Sequence, residues 1–418
     1  FALFDFTVPE GWVDENVYAY TNRFRDERAL ILYNNAYTTT MGHVHTSTAI
    51  NQGDAEHKHL ARKTLSEALG LETGKRQYYT FRDLRTGLEY LHNAHKLAEK
   101  GLHLQLHAYQ YHAFLDFRLH HDDDGSWERL DHHLAGHGVS SVVEAYHELR
   151  YASVMTPLRA LLNPTMLRTL AETSTKLPQE ELASALAMFL DTAAEAAHVT
   201  VNTKSAFDAI SSDLKELHRL PEWIEKAKLD PDIESFLCGP MPAEDDTALG
   251  FYRVPIAWSI TRRVADALPV IDAAAEAAAG VPEPILRKVV AEAFRGLGAD
   301  ENGAALDAAL VTLLRGYGPL LSAPTAIVRD TLLRRLFDDS VGQRYLGVNR
   351  HQGILYFRKE TLESLLYWLF FTAAWTVLAE ARPDADAMPG RFENLQSILA
   401  AAADGGYQVE RTLALLNR

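Results

Sequence analysis

The chain has 418 residues, 47% of them hydrophobic and 23% charged, so it has enough apolar side chains for one large core or two ordinary ones. Its 56 acidic residues outnumber the 41 Lys and Arg residues, and the formal net charge of −15 disfavours nucleic acid as a partner. The single cysteine, Cys238, excludes an intrachain disulfide and favours a reducing, cytoplasmic setting.

The first 122 residues predict a β domain. Six short runs of strand-forming residues, separated by turn residues, are typical of an antiparallel β-sandwich. They lie at residues 1–6, 17–20, 29–33, 41–47, 77–81 and 88–91. Leucines at helical spacing before Gly70 predict a helical insertion at about residues 54–70. Asn93 is expected to cap a second short helix that ends at Gly101.

Residues 102–119 are expected to close the β domain as two strands. In the first strand Leu102, Leu104 and Leu106 alternate with polar residues, which is the period of a half-buried strand. The apolar parity then shifts at Tyr109 and Gln110, so a turn, bend or bulge is expected there. The apolar set of the second strand is predicted to be Tyr111, Ala113, Leu115, Phe117 and Leu119.

After residue 122 the hydrophobic pattern predicts a large all-α domain at residues 123–418, with only residues 353–357 as a strand. The most apolar window, residues 364–379, would extend about 24 Å as a helix, short of the ~30 Å hydrocarbon core of a bilayer. We therefore predict a buried central helix and no membrane as partner.

The sequence begins at Phe1, with neither an initiator Met nor the basic and small-residue features of a signal peptide. This start predicts a fragment, or a processed piece, of a longer polypeptide.

Two groups of histidines raise the hypothesis of a metalloenzyme. The first contains residue types that ligate metal ions, namely His43, His45, Glu56, His57 and His59. The second is a run of His and Asp at residues 120–137, which is also typical of a solvated polar loop. Because His57 and His59 do not share a helix face, no metal ligand is assigned.

Three segments of the β domain resemble the C-terminal β-sandwich of α-amylase-family proteins. They are residues 1–37, with a charged hairpin between a strand ending in Tyr-Thr-Asn and one ending in Asn-Asn, residues 81–91, and residues 106–118, which contain Ala-Tyr-Gln-Tyr. The sequence is similar in particular to the large bacterial glycoside hydrolase family 13 proteins in which helical sequence follows the sandwich. The resemblance covers about the first 120 residues.

The resemblance implies a noncatalytic C-terminal portion of an α-glucan-acting enzyme of carbohydrate metabolism. Its partner would be the preceding catalytic barrel of the same polypeptide. Family 13 catalysis uses paired carboxylates on a (β/α)₈ barrel, and this chain lacks the alternation of strands and helices that a barrel needs. We therefore assign no catalytic residue and no cofactor.

Aromatic rings stack on sugars, and five residues are candidate contacts for an α-glucan. They are Tyr18, Tyr20, Tyr37, Tyr109 and Trp127. Tyrosines in strands more often pack in the core or against neighbouring strands. An alternative hypothesis is a helical scaffold protein without enzymatic activity, because Ala-rich stretches such as residues 273–279 allow close packing of helices. The oligomeric state is left open.

Overall fold

The computed structural model describes residues 1–51, 57, 59–172, 178–197, 199–241, 248–268, 282–318, 325–378 and 387–416. The chain divides into two compact units, Phe1–Arg150 and Tyr151–Arg418. The first contains an antiparallel sheet with short helices, and the second is almost entirely helical. The predicted α+β fold class is therefore confirmed.

The first unit is built on a sheet. Its strands are β1 (Ala2–Thr7), β2 (Val17–Phe24), β3 (Glu27–Asn34), β4 (Thr40–Ser47), β5 (Ile50–Asn51), β6 (Leu60–Ala61), β7 (Gln77–Asp83), β8 (Glu89–Asn93), β9 (Leu102–Leu106) and β10 (Tyr111–His121). Its helices are α1 (Leu65–Leu69), α2 (Ala94–Lys100), α3 (Ser126–Leu134) and α4 (Val142–Arg150). Among the described residues, an eight-stranded sheet has the order β8-β7-β10-β3-β2-β1-β4-β9, with every neighbouring pair antiparallel.

The sheet curls so that one face closes on a single core. Phe81 of β7 and Leu102 of β9 come from opposite ends of the sheet, yet both belong to the same buried cluster as Leu32 of the central strand β3. Leu69 of α1 and Leu97 of α2 complete this cluster. Burial of apolar side chains from both halves of one sheet thus gives the sandwich-like layout that the strand pattern predicted.

Helix α2 begins and ends where the sequence predicts. The Asn93 side chain accepts a hydrogen bond from the Lys96 backbone N–H at 3.1 Å, which caps the first turn. Gly101 follows the last turn with φ of +68°, and a Cβ there would lie 2.1 Å from the Val44 carbonyl oxygen. Both the conformation and the close approach require glycine at this position.

Helix α1 is shorter than the insertion predicted at about residues 54–70. It begins after Thr64, which forms a reciprocal capping box with Glu67, and it ends at Gly70 with φ of +62°. Residues 60–61 form the short strand β6 instead of a helix, paired with β5. The capping box sets the start of the helix, and this signal outweighs the leucine spacing upstream. Residues 52–56 and 58 of the predicted insertion lie outside the described residues.

The prediction of which residues of the second closing strand face the core is wrong for the first half of that strand. His112 and Phe114 of β10 point into the core, whereas Tyr111 is 48% exposed. A register shift between Leu115 and Arg118, with Asp116 at φ of +57°, then reverses the parity. Downstream of this bulge Phe117 and Leu119 pack against the core as predicted. The predicted turn at Tyr109 and Gln110 is present.

Helices α3 and α4 belong to the first compact unit, although the predicted domain boundary lies at residue 122. They pack on β7 and β8 through Leu130, Leu134 and Val142, so Tyr78 on the outer side of β7 is buried as well. The buried Asp122 carboxylate accepts the backbone N–H groups of Trp127 and Glu128 and so caps α3. Strand β7 is therefore buried on both faces.

The regular structure in the described residues of the second unit is helical except for a short hairpin. Its helices are α5 (Ala152–Leu161), α6 (Pro164–Glu172), α7 (Gln179–Ala197), α8 (Thr203–Ala227), α9 (Pro231–Cys238), α10 (Ala248–Ala267), α11 (Glu283–Gly296), α12 (Glu301–Tyr317), α13 (Thr325–Asp338), α14 (Ser340–Tyr345), α15 (Lys359–Leu378), α16 (Ala387–Asp404) and α17 (Val409–Leu416). The hairpin pairs β11 (Asn349–His351) with β12 (Ile354–Tyr356). Strand β12 lies within the strand predicted at residues 353–357, and β11 was not predicted.

The predicted central helix is confirmed as α15. Leu365, Leu369 and Phe370 are completely buried, and the Tyr367 hydroxyl donates to the Leu237 carbonyl at 3.1 Å. Within the described residues, no helix has both the length and the apolar character needed to cross a bilayer. Helix α8 continues through Pro221. The Ala-rich stretch at residues 273–279 lies outside the described residues.

Candidate functional site

The outward side of the sheet carries a surface that we name the tyrosine face. It comprises seven residues at alternate positions of four adjacent strands: Leu3, Tyr18, Tyr20, Ile31, Tyr33, Tyr111 and Ala113. Directly opposed residues of antiparallel strands point to the same side. Tyr33 of β3 lies opposite both Tyr18 of β2 and Tyr111 of β10, so the three tyrosines form one row across the sheet.

The tyrosine face is partly open to solvent, since three of its residues are exposed and Tyr20, Ile31, Tyr33 and Ala113 are half-buried. Tyr18 is 54% exposed and Tyr111 is 48% exposed, while Leu3 in the neighbouring row is 46% exposed. The outward side of an antiparallel sheet normally carries polar residues, and a contiguous exposed apolar patch marks a binding surface. The face is therefore the strongest candidate site in the first unit.

Tyr20 extends the tyrosine face toward the N-terminus. Its ring centroid lies 5.6 Å from that of Phe1, which is 76% exposed. Sequence reasoning identifies Tyr18 and Tyr20 as candidates because they lie in a predicted strand within residues 1–37. It misses Tyr33 and Tyr111, because their place in the row depends on strand pairing. A usable signal was that each lies two positions from another apolar residue of its own strand, Ile31 and Ala113 respectively.

Tyr37 and Tyr109 form a second aromatic pair in two neighbouring turns. Their ring centroids are 6.3 Å apart with the planes at 66°, and the side chains are 83% and 55% exposed, respectively. Tyr109 has φ of +55°, a left-handed conformation that is unfavourable for an aromatic residue. The turn thus holds an exposed ring in a strained backbone, a combination that is common at binding sites.

The side chain of Asn34 joins the two turns. Its buried Nδ2 donates to the carbonyl oxygens of Thr38 at 2.7 Å and His107 at 3.0 Å, and its Oδ1 accepts the Ala36 N–H at 3.1 Å. In addition, the Tyr109 backbone N–H donates to the Ala36 carbonyl at 3.1 Å. These bonds place Tyr37 beside Tyr109, at the end of the strands that carry the tyrosine face.

A groove of about 440 Å³ adjoins the other end of the tyrosine face. Its apolar wall includes Phe24, which is 67% exposed, and Leu115. Its polar wall includes Arg118 and Asp116, the latter in an ion pair with Arg82 at 2.5 Å. Aromatic surface beside a few fixed polar groups is the usual composition of small-ligand sites.

Trp127 does not join this surface. It is 9% exposed, and its ring is stacked between the His120 ring at 4.2 Å and the Tyr146 ring at 4.4 Å. Both faces of the indole are therefore covered by other side chains, and we correct the prediction of Trp127 as a glycan platform. It packs helices α3 and α4 against the sheet.

A buried Asp and His pair supports the sheet from inside. His112 Nδ1 lies 3.0 Å from Asp83 Oδ2, and the Gln110 side chain contacts His112 Nε2 at 3.1 Å. Burial tends to raise the pKa of Asp83, but hydrogen bonds from Thr86, His112 and Ala113 outweigh it and hold that pKa below its ordinary value. Because the second ring nitrogen is occupied by Gln110, the pair has the geometry of a structural anchor rather than of a general base.

Three histidines of the two groups considered as metal sites have separate partners. His43 of β4 stacks on His103 of β9 at 4.8 Å, while His45 Nε2 contacts the Ala98 carbonyl at 3.0 Å. His120 lies 3.0 Å from the Thr80 hydroxyl. Within the described ranges, no three or more His, Cys, Asp or Glu side chains are grouped so that they could hold a metal ion.

Comparison of the chain with known protein families, with curated proteins and with solved structures finds no match.

Proposed function

We propose that the first unit is a noncatalytic sugar-binding domain that holds a linear α-glucan on the tyrosine face. The observation that carries the proposal is the row of Tyr18, Tyr33 and Tyr111 on one face of the sheet, with the two outer rings exposed and Tyr33 half-buried between them. Flat aromatic rings bury the apolar face of a sugar, and tyrosine hydroxyls add hydrogen bonds at the rim. Rings fixed by strand pairing lose little conformational freedom on binding.

The wider setting that we propose is the C-terminal part of a cytoplasmic α-amylase-type polypeptide of glycoside hydrolase family 13. The three segments that resemble the α-amylase-family sandwich support it, and so does an antiparallel sheet followed by helices. The half-buried single cysteine, Cys238, is compatible with the cytoplasm. In this setting the domain positions α-glucan for a catalytic barrel elsewhere in the polypeptide.

Isothermal titration calorimetry with maltoheptaose tests the proposal. Each stacked ring contributes about 1 kcal/mol, so Tyr18→Ala or Tyr111→Ala is expected to weaken binding by roughly fivefold. Tyr111→Phe keeps the ring and should bind within about twofold of the parent chain. Trp12→Ala removes another exposed aromatic residue, 57% exposed in the turn between β1 and β2, and should bind like the parent.

Two results would end the proposal. One is the absence of measurable heat with maltoheptaose at millimolar concentration. The other is an equal loss of affinity in Trp12→Ala and Tyr111→Ala, which would mean that binding does not depend on the row.

A second candidate function is docking of a protein domain on the same surface. The neighbouring row of Leu3, Tyr20, Ile31 and Ala113 is more apolar than a sugar site requires, and aromatic surfaces of this kind also bind proteins. In the family setting the occupant would be the barrel of the same polypeptide. A Leu3→Glu variant separates the two functions, because a charge in this row should abolish docking of an added barrel domain while Tyr18 and Tyr111 still bind maltoheptaose.

A further inference from the structure

The second unit contains a groove of about 380 Å³ between α8, α10 and α15. Its wall includes two carboxylates, two guanidinium groups and two indole rings, which belong to Asp213, Glu216, Arg262, Arg263, Trp258 and Trp375. The indole centroids are 5.3 Å apart, and both rings are almost completely buried. The volume is within the range of small-molecule sites.

The two acids and one of the arginines already have partners. Arg263 donates to both oxygens of Asp213 at 2.8 Å, and the Ser259 hydroxyl donates to the same carboxylate at 2.9 Å. The Trp223 indole N–H donates to Glu216 at 2.6 Å. These bonds fix the carboxylates and leave them little capacity to bind a cation.

Arg262 is different from Arg263. Its guanidinium lies over the Trp258 ring at 5.1 Å from the centroid, and among the described residues it has neither an ion pair nor a hydrogen bond. This cation–π contact restrains the guanidinium group, while its N–H groups have no hydrogen-bond acceptor among the described residues. An arginine held in this way is prepared to bind a carboxylate with two parallel hydrogen bonds.

Trp258 adds an independent observation. The residue is 4% exposed, and its Nε1 is buried with no hydrogen-bond partner among the described residues. A buried donor without an acceptor is unfavourable and uncommon in native proteins. An acceptor oxygen of a bound ligand would satisfy this N–H only after a shift of the side chains that cover the atom.

We propose that this groove binds a small monocarboxylate with an apolar or aromatic body. Arg262 holds the carboxylate, and the body of the ligand lies along the wall of the groove between α8, α10 and α15. A phosphate is disfavoured, because its second negative charge would lie close to Asp213 and Glu216. The site lies in the helical unit and does not depend on sugar binding by the sheet.

Benzoate is a suitable probe, with benzamide as its neutral equivalent of the same shape. Titration calorimetry and quenching of tryptophan fluorescence should show saturable binding of benzoate, at least tenfold tighter than binding of benzamide or inorganic phosphate. Arg262→Gln should weaken benzoate binding at least tenfold. Arg262→Lys should have an intermediate affinity, because lysine keeps the positive charge but lacks the planar pair of N–H donors. Arg295→Gln removes an exposed arginine of α11 and serves as the control, with affinity unchanged.

Three outcomes would overturn the proposal. They are no binding of benzoate at millimolar concentration, equal binding of benzoate and benzamide, and equal affinity of Arg262→Gln and the parent chain. Thermal unfolding of each variant shows whether it is folded, and should Arg262→Gln fail to fold, the comparison of benzoate with benzamide on the parent chain decides the question.

Discussion

Replacement of Asn34 by alanine should loosen the turns that carry Tyr37 and Tyr109. The Asn34 side chain is completely buried and makes short hydrogen bonds to Thr38, His107 and Ala36. The alanine variant loses these three hydrogen bonds, although the His107 carbonyl keeps the Gln110 N–H as a donor. Each hydrogen bond contributes about 0.5–1.5 kcal/mol net, and water entering the vacated space recovers part of that loss. We expect a loss of about 2–4 kcal/mol in the free energy of opening of this region.

Native-state hydrogen exchange followed by mass spectrometry measures this opening directly. Peptides spanning residues 34–40 and 104–111 should exchange faster in Asn34→Ala by about thirtyfold or more, given tenfold per 1.4 kcal/mol. Asn35→Ala is the matched control, because Asn35 is exposed and accepts only a 3.3 Å bond from the Tyr33 hydroxyl. Unchanged exchange in Asn34→Ala, or equal effects of the two variants, would refute the role assigned to Asn34.

Two further predictions concern the first unit. Desolvation lowers the pKa of His92 from 6.5 to about 4, so the folded chain keeps the ring neutral while the unfolded chain protonates it. The contribution of His92 to stability is therefore zero above about pH 6.5 and becomes unfavourable by up to about 3 kcal/mol between pH 6.5 and pH 4, so His92→Phe should reduce the pH dependence of urea unfolding by about that amount. An unchanged slope in that variant would contradict the assignment. Asp122→Ala removes the cap of α3 and should cost about 1 kcal/mol, seen as faster exchange in residues 126–134, whereas the exposed Asp123→Ala should have no effect there. Equal exchange in these two variants would show that Asp122 does not cap the helix.

Local signals predicted the first unit well where neighbouring residues decide the structure. Helix α2 begins after Asn93 and ends at Gly101 as predicted, because capping and a left-handed backbone depend on residues within one turn. The bulge at Asp116 was not predictable in this way. It results from the pairing of β10 with β7, and it exchanges the inward and outward sets of the strand.

The candidate site was only partly predictable for the same reason. Tyr18 could be singled out from its strand, but its alignment with Tyr33 and Tyr111 depends on the register of three strands, one of which, β10, is distant in sequence from the other two. The burial of Trp127 follows from helices α3 and α4 packing on β7 and β8, a tertiary contact with no local signature. The groove at Arg262 likewise exists only because α8, α10 and α15 meet.

The dependence of affinity on glucan length is the most direct test of sugar binding by the tyrosine face. Titration of the chain with linear maltooligosaccharides from two to seven glucose units would be compared under one set of conditions. A row of three rings predicts that affinity rises with each added unit until the row is covered and then becomes constant. Equal affinity for all lengths, or no binding of the longest, would contradict the account.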